Sequence, residues 1–320
     1  MLQLLVTNVP AFAVAWIVLA VVWLACTRRY SCWPVGLKDY LWPVVPLLLL
    51  LAARWLDSPQ LPWRLLSGTG IALWCFVTLV WLLSVLKRDT SIMDIAYAAA
   101  SLLVTWTLWF LAGGDASPRS LLLLALVSAW ALRYTVYVAN RNLPHGEDPR
   151  YTRWRTRTGA AWWWWSYFQV FLVQAVMIWL WCIPLQLALL APGPLGALDV
   201  LAAAVWLVGF VFEAGADWQL ARFKRDPANK GKVLTSGLWA QCRHPNYFGE
   251  ATIWIAYGLL ALAHPWGYLG LICTAYTVHM INRGSATKMT DGYMKKKKPG
   301  YLDYAAATPT FLPRIFGGRP

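Results

Sequence analysis

Eight consecutive residues, Arg243-His244-Pro245-Asn246-Tyr247-Phe248-Gly249-Glu250, gather a guanidinium, an imidazole, an amide, a phenol and a carboxylate where a basic loop runs into an apolar segment. A lipid-facing helix has no use for such groups, which are costly at membrane depth unless they have partners. Pro245 suits the first turn of a helix, where a missing N–H is no loss. A helix starting there points free backbone N–H groups and the positive end of its dipole at the preceding loop, an anion-binding arrangement. Arg243 and His244 stand just before it. Asn246 and Glu250 are four apart and share a face, with Tyr247 beside Glu250. Such a set fits a place where a soluble, charged cofactor meets a lipid substrate.

Other charged residues in or beside apolar segments extend this picture. Glu213 and Asp217, again four apart, are followed by Arg222, Lys224 and Arg225. The carboxylates suit the amino and hydroxyl groups of a nucleotide, and the cations suit its phosphates. An ion-paired helix end is the simpler alternative. Arg133 is the one cation inside an apolar segment, and Asp94 opens another such segment. A protonated carboxyl or a phenol can donate to an oxygen on which negative charge develops. Burial at a membrane boundary raises a carboxyl pKa, which suits Asp94 to a donor role. The candidate catalytic groups are therefore Asp94, Glu250 and Tyr247.

The elements that must position these groups are membrane helices. Of 320 residues 59% are hydrophobic and 13% charged, about half the charge of a soluble domain. Hydropathy places about nine spans (range 8–10), at 10–26, 41–56, 69–86, 92–112, 120–138, 163–191, 196–214, 247–264 and 266–281. Alternate loops hold 24 of the 28 Lys and Arg, and the opposite loops hold three. This asymmetry predicts an all-α, polytopic bundle with its N-terminus outside and its C-terminus in the cytosol. The acids at 94, 213, 217 and 250 then lie at cytosolic span ends and predict a polar cavity open to that side. Trp162 to Trp165 read as an interfacial aromatic belt or a substrate lining. Lys295 to Lys298 suit the anionic lipids of the cytosolic leaflet, and the basic charge is not assigned to nucleic acid. The six cysteines are scattered, with no metal-ligand spacing. Residues 1–86 form N-terminal helices and 87–320 the catalytic part. No G-x-G-x-x-G follows a strand, so a nucleotide must bind to helix ends and loops.

Ser236-Gly237-Leu238-Trp239 followed by the octapeptide resembles the signature of the steroid 5α-reductase-like membrane proteins, in particular their DUF1295 branch. Arg88-Asp89-Thr90-Ser91-Ile92-Met93-Asp94 is similar to that branch's early segment. Trp130 to Arg141, then Gly146-Glu147-Asp148-x-Arg150-Tyr151, is similar to its central loop. Glu213-x-x-x-Asp217-x-Gln219-Leu220-x-x-Phe223 and the stretch Tyr301 to Pro313 extend the resemblance to roughly residues 85–315. It implies an all-helical enzyme that takes NADPH from the cytosol and reduces an activated C=C bond of a steroid-like or other lipid. By motif, Asn246 and Glu250 would meet the nicotinamide half, and Asp217 with Glu213 the adenosine half. Arg133, Arg141, Lys224 and Arg243 would meet phosphates, with His244 beside them. Two departures stand out. Trp130 falls where the steroid enzymes have a keto-polarising Tyr, with Asp94 in place of their Glu. Thr287-Lys288-Met289 lacks the acid the family carries after its last span. S-adenosylmethionine-dependent membrane methyltransferases share Arg-His-Pro-x-Tyr-x-Gly and are the alternative; a non-catalytic lipid-binding protein is a second. The membrane is the endoplasmic reticulum in a eukaryote and the inner membrane in a bacterium.

Overall fold

A computed structural model describes residues 62–284 and 286–319, all of its regular structure helical. The expected spans at 10–26 and 41–56 lie outside these residues. Long apolar runs without internal Pro form α1 (Trp63–Lys87), α2 (Ile92–Leu111) and α3 (Pro118–Asn142). A polar helix, α4 (Pro149–Thr158), precedes α5 (Trp162–Ser166), a π turn at Tyr167–Leu172, and α6 (Val173–Trp181). Then come α7 (Ile183–Leu189), α8 (Ala197–Arg225), the short α9 (Leu238–Gln241), α10 (Pro245–Ala261) and α11 (Gly267–His279). The tail forms α12 (Ala286–Lys297) and α13 (Tyr301–Ala307).

Four described helices (α1, α2, α3 and α8) are long and apolar enough to cross a membrane, or five if the broken run from Pro149 to Leu189 is one span. The spans expected at 247–264 and 266–281 are helices of 17 and 13 residues, the second continuing as a π turn over Met280–Gly284. Both lie near the lower limit of about 17 residues for a crossing. The expected span 163–191 is interrupted by the π turn and again at Cys182. The span expected to end at 214 continues as helix to Arg225. Hydropathy ends where the apolar residues end, whereas helical hydrogen bonding carries on into water.

The described residues divide into two compact units, with α1, α2, α4 to α6 and most of α3 in the first. Its interior is apolar, with Leu73, Val77, Met93, Val104 and Leu108 at most 1% exposed. The Trp106 indole donates to Ser128 Oγ (3.1 Å) and the Trp179 indole to Thr69 Oγ1 (3.1 Å), linking α2 to α3 and α6 to α1. The tryptophan run is split. Trp163 and Trp164 are exposed, as an aromatic belt requires, whereas Trp162 and Trp165 are buried and donate to Thr90 and Gln169.

The second unit is built on α8 and α10. A Cβ on Gly249 would lie 2.4 Å from Glu213 N and 2.5 Å from Gly209 O. Only glycine allows this backbone-to-backbone approach, the small-residue packing that serves helices in lipid. The start of α8 is held by Arg119, which donates to both Asp199 oxygens (2.8 and 2.9 Å) and to Ala191 O (3.0 Å). Asp217 lies about 27 Å of helix further on.

Candidate functional site

The crossing at Gly249 brings together the polar residues of α8 and α10. Glu213, Asp217 and Glu250 are 2%, 4% and 9% exposed. Asn246 Nδ2 donates to Asp217 Oδ1 at 3.4 Å. The helix begins at Pro245 with His244 as its N-cap, as the sequence predicts. The loop ahead of it is tied to α8. Gly237 adopts φ +64, and Leu238 N donates to Gln219 Oε1 (3.0 Å). The Trp239 indole donates to Ala216 O (3.1 Å). The conformation at Gly237 strains any residue with a Cβ.

Arg243 and His244 meet an acid that the sequence reading missed. Asp291 lies beyond Thr287-Lys288-Met289, on the exposed-looking tail helix α12. It accepts from His244 Nε2 at 2.8 Å and from the Tyr301 hydroxyl at 2.5 Å, and Arg243 Nη1 stands 3.3 Å away. The tail thus does supply an acid, although Thr287-Lys288-Met289 does not. Burial opposes ionisation of Asp291. The hydrogen bonds from His244 and Tyr301 and the charge of Arg243 outweigh it and bring the carboxyl down to about 2. The Tyr301 hydroxyl is pushed up by burial and by Asp291. Arg243 also donates from Nη2 to Thr310 Oγ1, and its backbone N–H donates to Pro309 O (2.8 Å). Its Nε is buried without a hydrogen-bond partner among the described residues. The Tyr247 ring stacks on His244 (centroids 5.5 Å, planes 11° apart), and its hydroxyl lies 3.2 Å from Thr290 Oγ1. Lys224 is exposed at the end of α8.

Asp94 belongs to the first unit, in a different polar set. It accepts from Arg150 Nη2 and from the Tyr151 hydroxyl, both at 2.6 Å. The carboxyl expected to give up a proton therefore receives two hydrogen bonds. Around it, Glu147 accepts from the Thr90 N–H (2.8 Å) and from Arg155 Nη2 (2.7 Å), and Asp148 caps α4 and pairs with Arg150. Burial would raise the pKa of Glu147, but Arg155 and the Thr90 N–H hold it below the ordinary carboxylate range. Arg150 does the same for Asp148. Asp89 accepts from the Ser91 N–H (2.9 Å) and hydroxyl (2.5 Å). Arg133 and Arg141 also fall in the first unit. The guanidinium of Arg133 lies 5.8 Å from the Tyr134 ring centroid, and exposed Arg141 donates to Asn142 Oδ1 at 2.9 Å. Trp130 is fully buried among Tyr97 and Tyr134, a packing position.

The segments that carry the resemblance thus fold into these two sets, and a family model covers both. The model of DUF1295, a family of unknown function, matches residues 80–308. The chain belongs to the DUF1295 family. This DUF1295 protein is 26% identical over 315 residues to an uncharacterized protein of Schizosaccharomyces pombe, across 89% of this chain and 90% of that one. It is 31% identical over 111 residues to a Delta(14)-sterol reductase of Mus musculus, across 29% of this chain and 26% of the reductase. Over 50 residues it is 44% identical to a probable O-methyltransferase of Ustilaginoidea virens, across 16% of this chain and 17% of that protein. The last two matches span about a quarter or less of those relatives. With its long apolar helices, this DUF1295 protein is an integral membrane protein, and a part of it is similar to a part of a sterol reductase.

Proposed function

We propose that the protein is a membrane oxidoreductase that uses NADPH to reduce an activated C=C bond, an enone, in a steroid-like or other lipid. The observation that carries this reading is the second unit's polar set. Three buried acids and Asn246 lie where α8 and α10 cross, beside a helix start flanked by Arg243 and His244. The residues fit a dinucleotide. Arg243 Nε is a buried donor with no hydrogen-bond partner among the described residues, and leaving such a donor unsatisfied costs about 1–3 kcal/mol. Glu213 and Asp217 accept from the hydroxyl and amino groups of the adenosine half, and Asn246 and Glu250 hold the nicotinamide amide. Arg243, Lys224 and the α10 N-terminus face the phosphates, with His244 beside Arg243. When bound, the cofactor supplies the hydride. Tyr247 offers a phenol O–H to the oxygen on which charge develops, and Asp94 acts in the first unit by orienting Tyr151. The charge asymmetry of the loops turns the site to the cytosol, with the N-terminus outside. The membrane is the endoplasmic reticulum in a eukaryote and the inner membrane in a bacterium. Lys295 to Lys298 meet anionic lipids there, at about 1 kcal/mol each. The similarity to a Delta(14)-sterol reductase supports the substrate class.

The short match to a probable O-methyltransferase favours a second reading, in which the same set holds S-adenosylmethionine. Thermal unfolding of the purified protein with each ligand separates the two. NADPH is expected to raise the midpoint and S-adenosylmethionine to leave it unmoved. The reverse result assigns the site to methyl transfer and overturns the reductase reading.

A further inference from the structure

We infer that Asp291 is a positioning residue that fixes the orientation of Arg243 and His244 from the tail, so that the C-terminal segment is part of the ligand site. The tail reaches the motif at successive points. Thr290 lies 3.2 Å from the Tyr247 hydroxyl, and Asp291 accepts from His244 (2.8 Å). Pro309 and Thr310 accept from the backbone and side chain of Arg243. The Tyr304 hydroxyl donates to Trp239 O at 2.5 Å. Tyr301 in turn donates to Asp291 (2.5 Å), so the carboxylate is itself held by a second tail helix.

Two consequences follow for the motif. A carboxylate only accepts, so the His244 proton sits on Nε2, and Nδ1 is left as the ring's second hydrogen-bonding atom. Asp291 stands 3.3 Å from Nη1 and Thr310 accepts from Nη2, which together fix the plane of the Arg243 guanidinium; its Nε is buried without a hydrogen-bond partner among the described residues. Both side chains are nearly enclosed, at 10% exposure for Arg243 and 3% for His244, so neither is free to reorient. A mere anchor for the C-terminus would have no need of the two residues that open the motif.

The inference rests on the reading that the motif binds a dinucleotide, and the test separates the two. The full-length protein is compared with Asp291→Ala, Asp291→Glu and, as a control, Asp303→Asn, which changes an exposed acid on the same tail. NADPH affinity is measured by titration. The ring 15N spectrum of labelled histidine, with four residues to resolve, reports the His244 tautomer without any ligand. The expected result is a single Nε2–H form in the wild type and a mixture in Asp291→Ala. NADPH affinity is expected to fall about tenfold or more in Asp291→Ala, the weight of one charge-assisted hydrogen bond. Asp291→Glu should recover most of it, and Asp303→Asn should match the wild type. An unchanged tautomer and affinity in Asp291→Ala would overturn the inference, as would an equal loss in Asp291→Glu with the histidine spectrum intact. A wild type that binds no NADPH sinks the dinucleotide reading instead, while the tautomer comparison still decides the role of Asp291.

Discussion

The two polar sets are built from the same residue types and differ in how their charges are met. In the first unit's set Glu147, Asp148 and Asp94 each face a cation or an N–H group. Glu147 lies against Arg155 and the Thr90 N–H, Asp148 caps α4, and Asp94 takes Arg150 and Tyr151. The guanidinium side chains there are 33–40% exposed, so these pairs are partly screened. Such a lattice holds the N-terminus of α2 against the 147–162 segment. In the second unit three acids are buried on two helices that touch through glycine backbone, and Arg243, just ahead of α10, keeps a buried Nε with no hydrogen-bond partner among the described residues. The contrast teaches that charge density alone does not mark a ligand site. Buried polar atoms without a hydrogen-bond partner occur in both units, Thr158 Oγ1 and Gln169 Nε2 in the first, so burial, spacing and charge have to be read together.

The comparison can be broken most severely at the helix crossing. Gly249→Leu puts a side chain against the backbone of α8, and overpacking of this kind costs about 1–3 kcal/mol where neighbours can yield. Backbone at 2.4 Å cannot yield, so loss of folded protein on size-exclusion chromatography is expected. The next largest effect is in the first unit. Glu147→Ala leaves Arg155 and the Thr90 N–H without their acceptor and should destabilise the protein by about 2 kcal/mol, lowering the thermal midpoint. A variant as stable as the wild type would show that the lattice is only solvated surface. A third test uses acid. The folded pKa of Asp291, about 2, lies below its unfolded value of about 4. Its contribution is therefore whole above pH ~4 and is lost as pH falls through about 2. The stability gap between wild type and Asp291→Ala should hold from neutral pH to about 4 and close near 2; a gap that stays open in acid contradicts the ionised contact. The smallest effect is expected from replacing Lys295 to Lys298 by Gln. Membrane affinity of the tail should drop on anionic vesicles and not on neutral ones.

Much of this organisation is written locally in the chain. The apolar run behind α2 ends within a residue of its predicted limit, and Pro245 marks the start of α10 because its chemistry is a first-turn chemistry. The face shared by Asn246 and Glu250, and that shared by Glu213 and Asp217, follow from helical spacing alone. What spacing does not carry is the partner across the fold. Asp291 is 47 residues from His244, on a lysine-rich helix whose composition reads as membrane surface. The π turn at Tyr167–Leu172 has no Pro or Gly to announce it. It coincides with the Tyr167 hydroxyl, which accepts from Trp74 (2.8 Å) and lies 3.1 Å from Thr78, a tertiary cause invisible to a window of sequence. The partners of Asp94 are hidden for the same reason. Its depth is legible in hydropathy, while Arg150 and Tyr151, which donate to it, lie more than fifty residues away.

The central claim, that the second unit holds the cofactor and the first unit's lattice holds the fold, is tested most directly by NADPH titration of Glu250→Gln and Glu147→Gln side by side. The account predicts that Glu250→Gln loses about tenfold or more in affinity while keeping its thermal midpoint. Glu147→Gln should lose thermal stability while binding NADPH as the wild type does. Unchanged NADPH affinity in Glu250→Gln, with the loss appearing instead in Glu147→Gln, would contradict it.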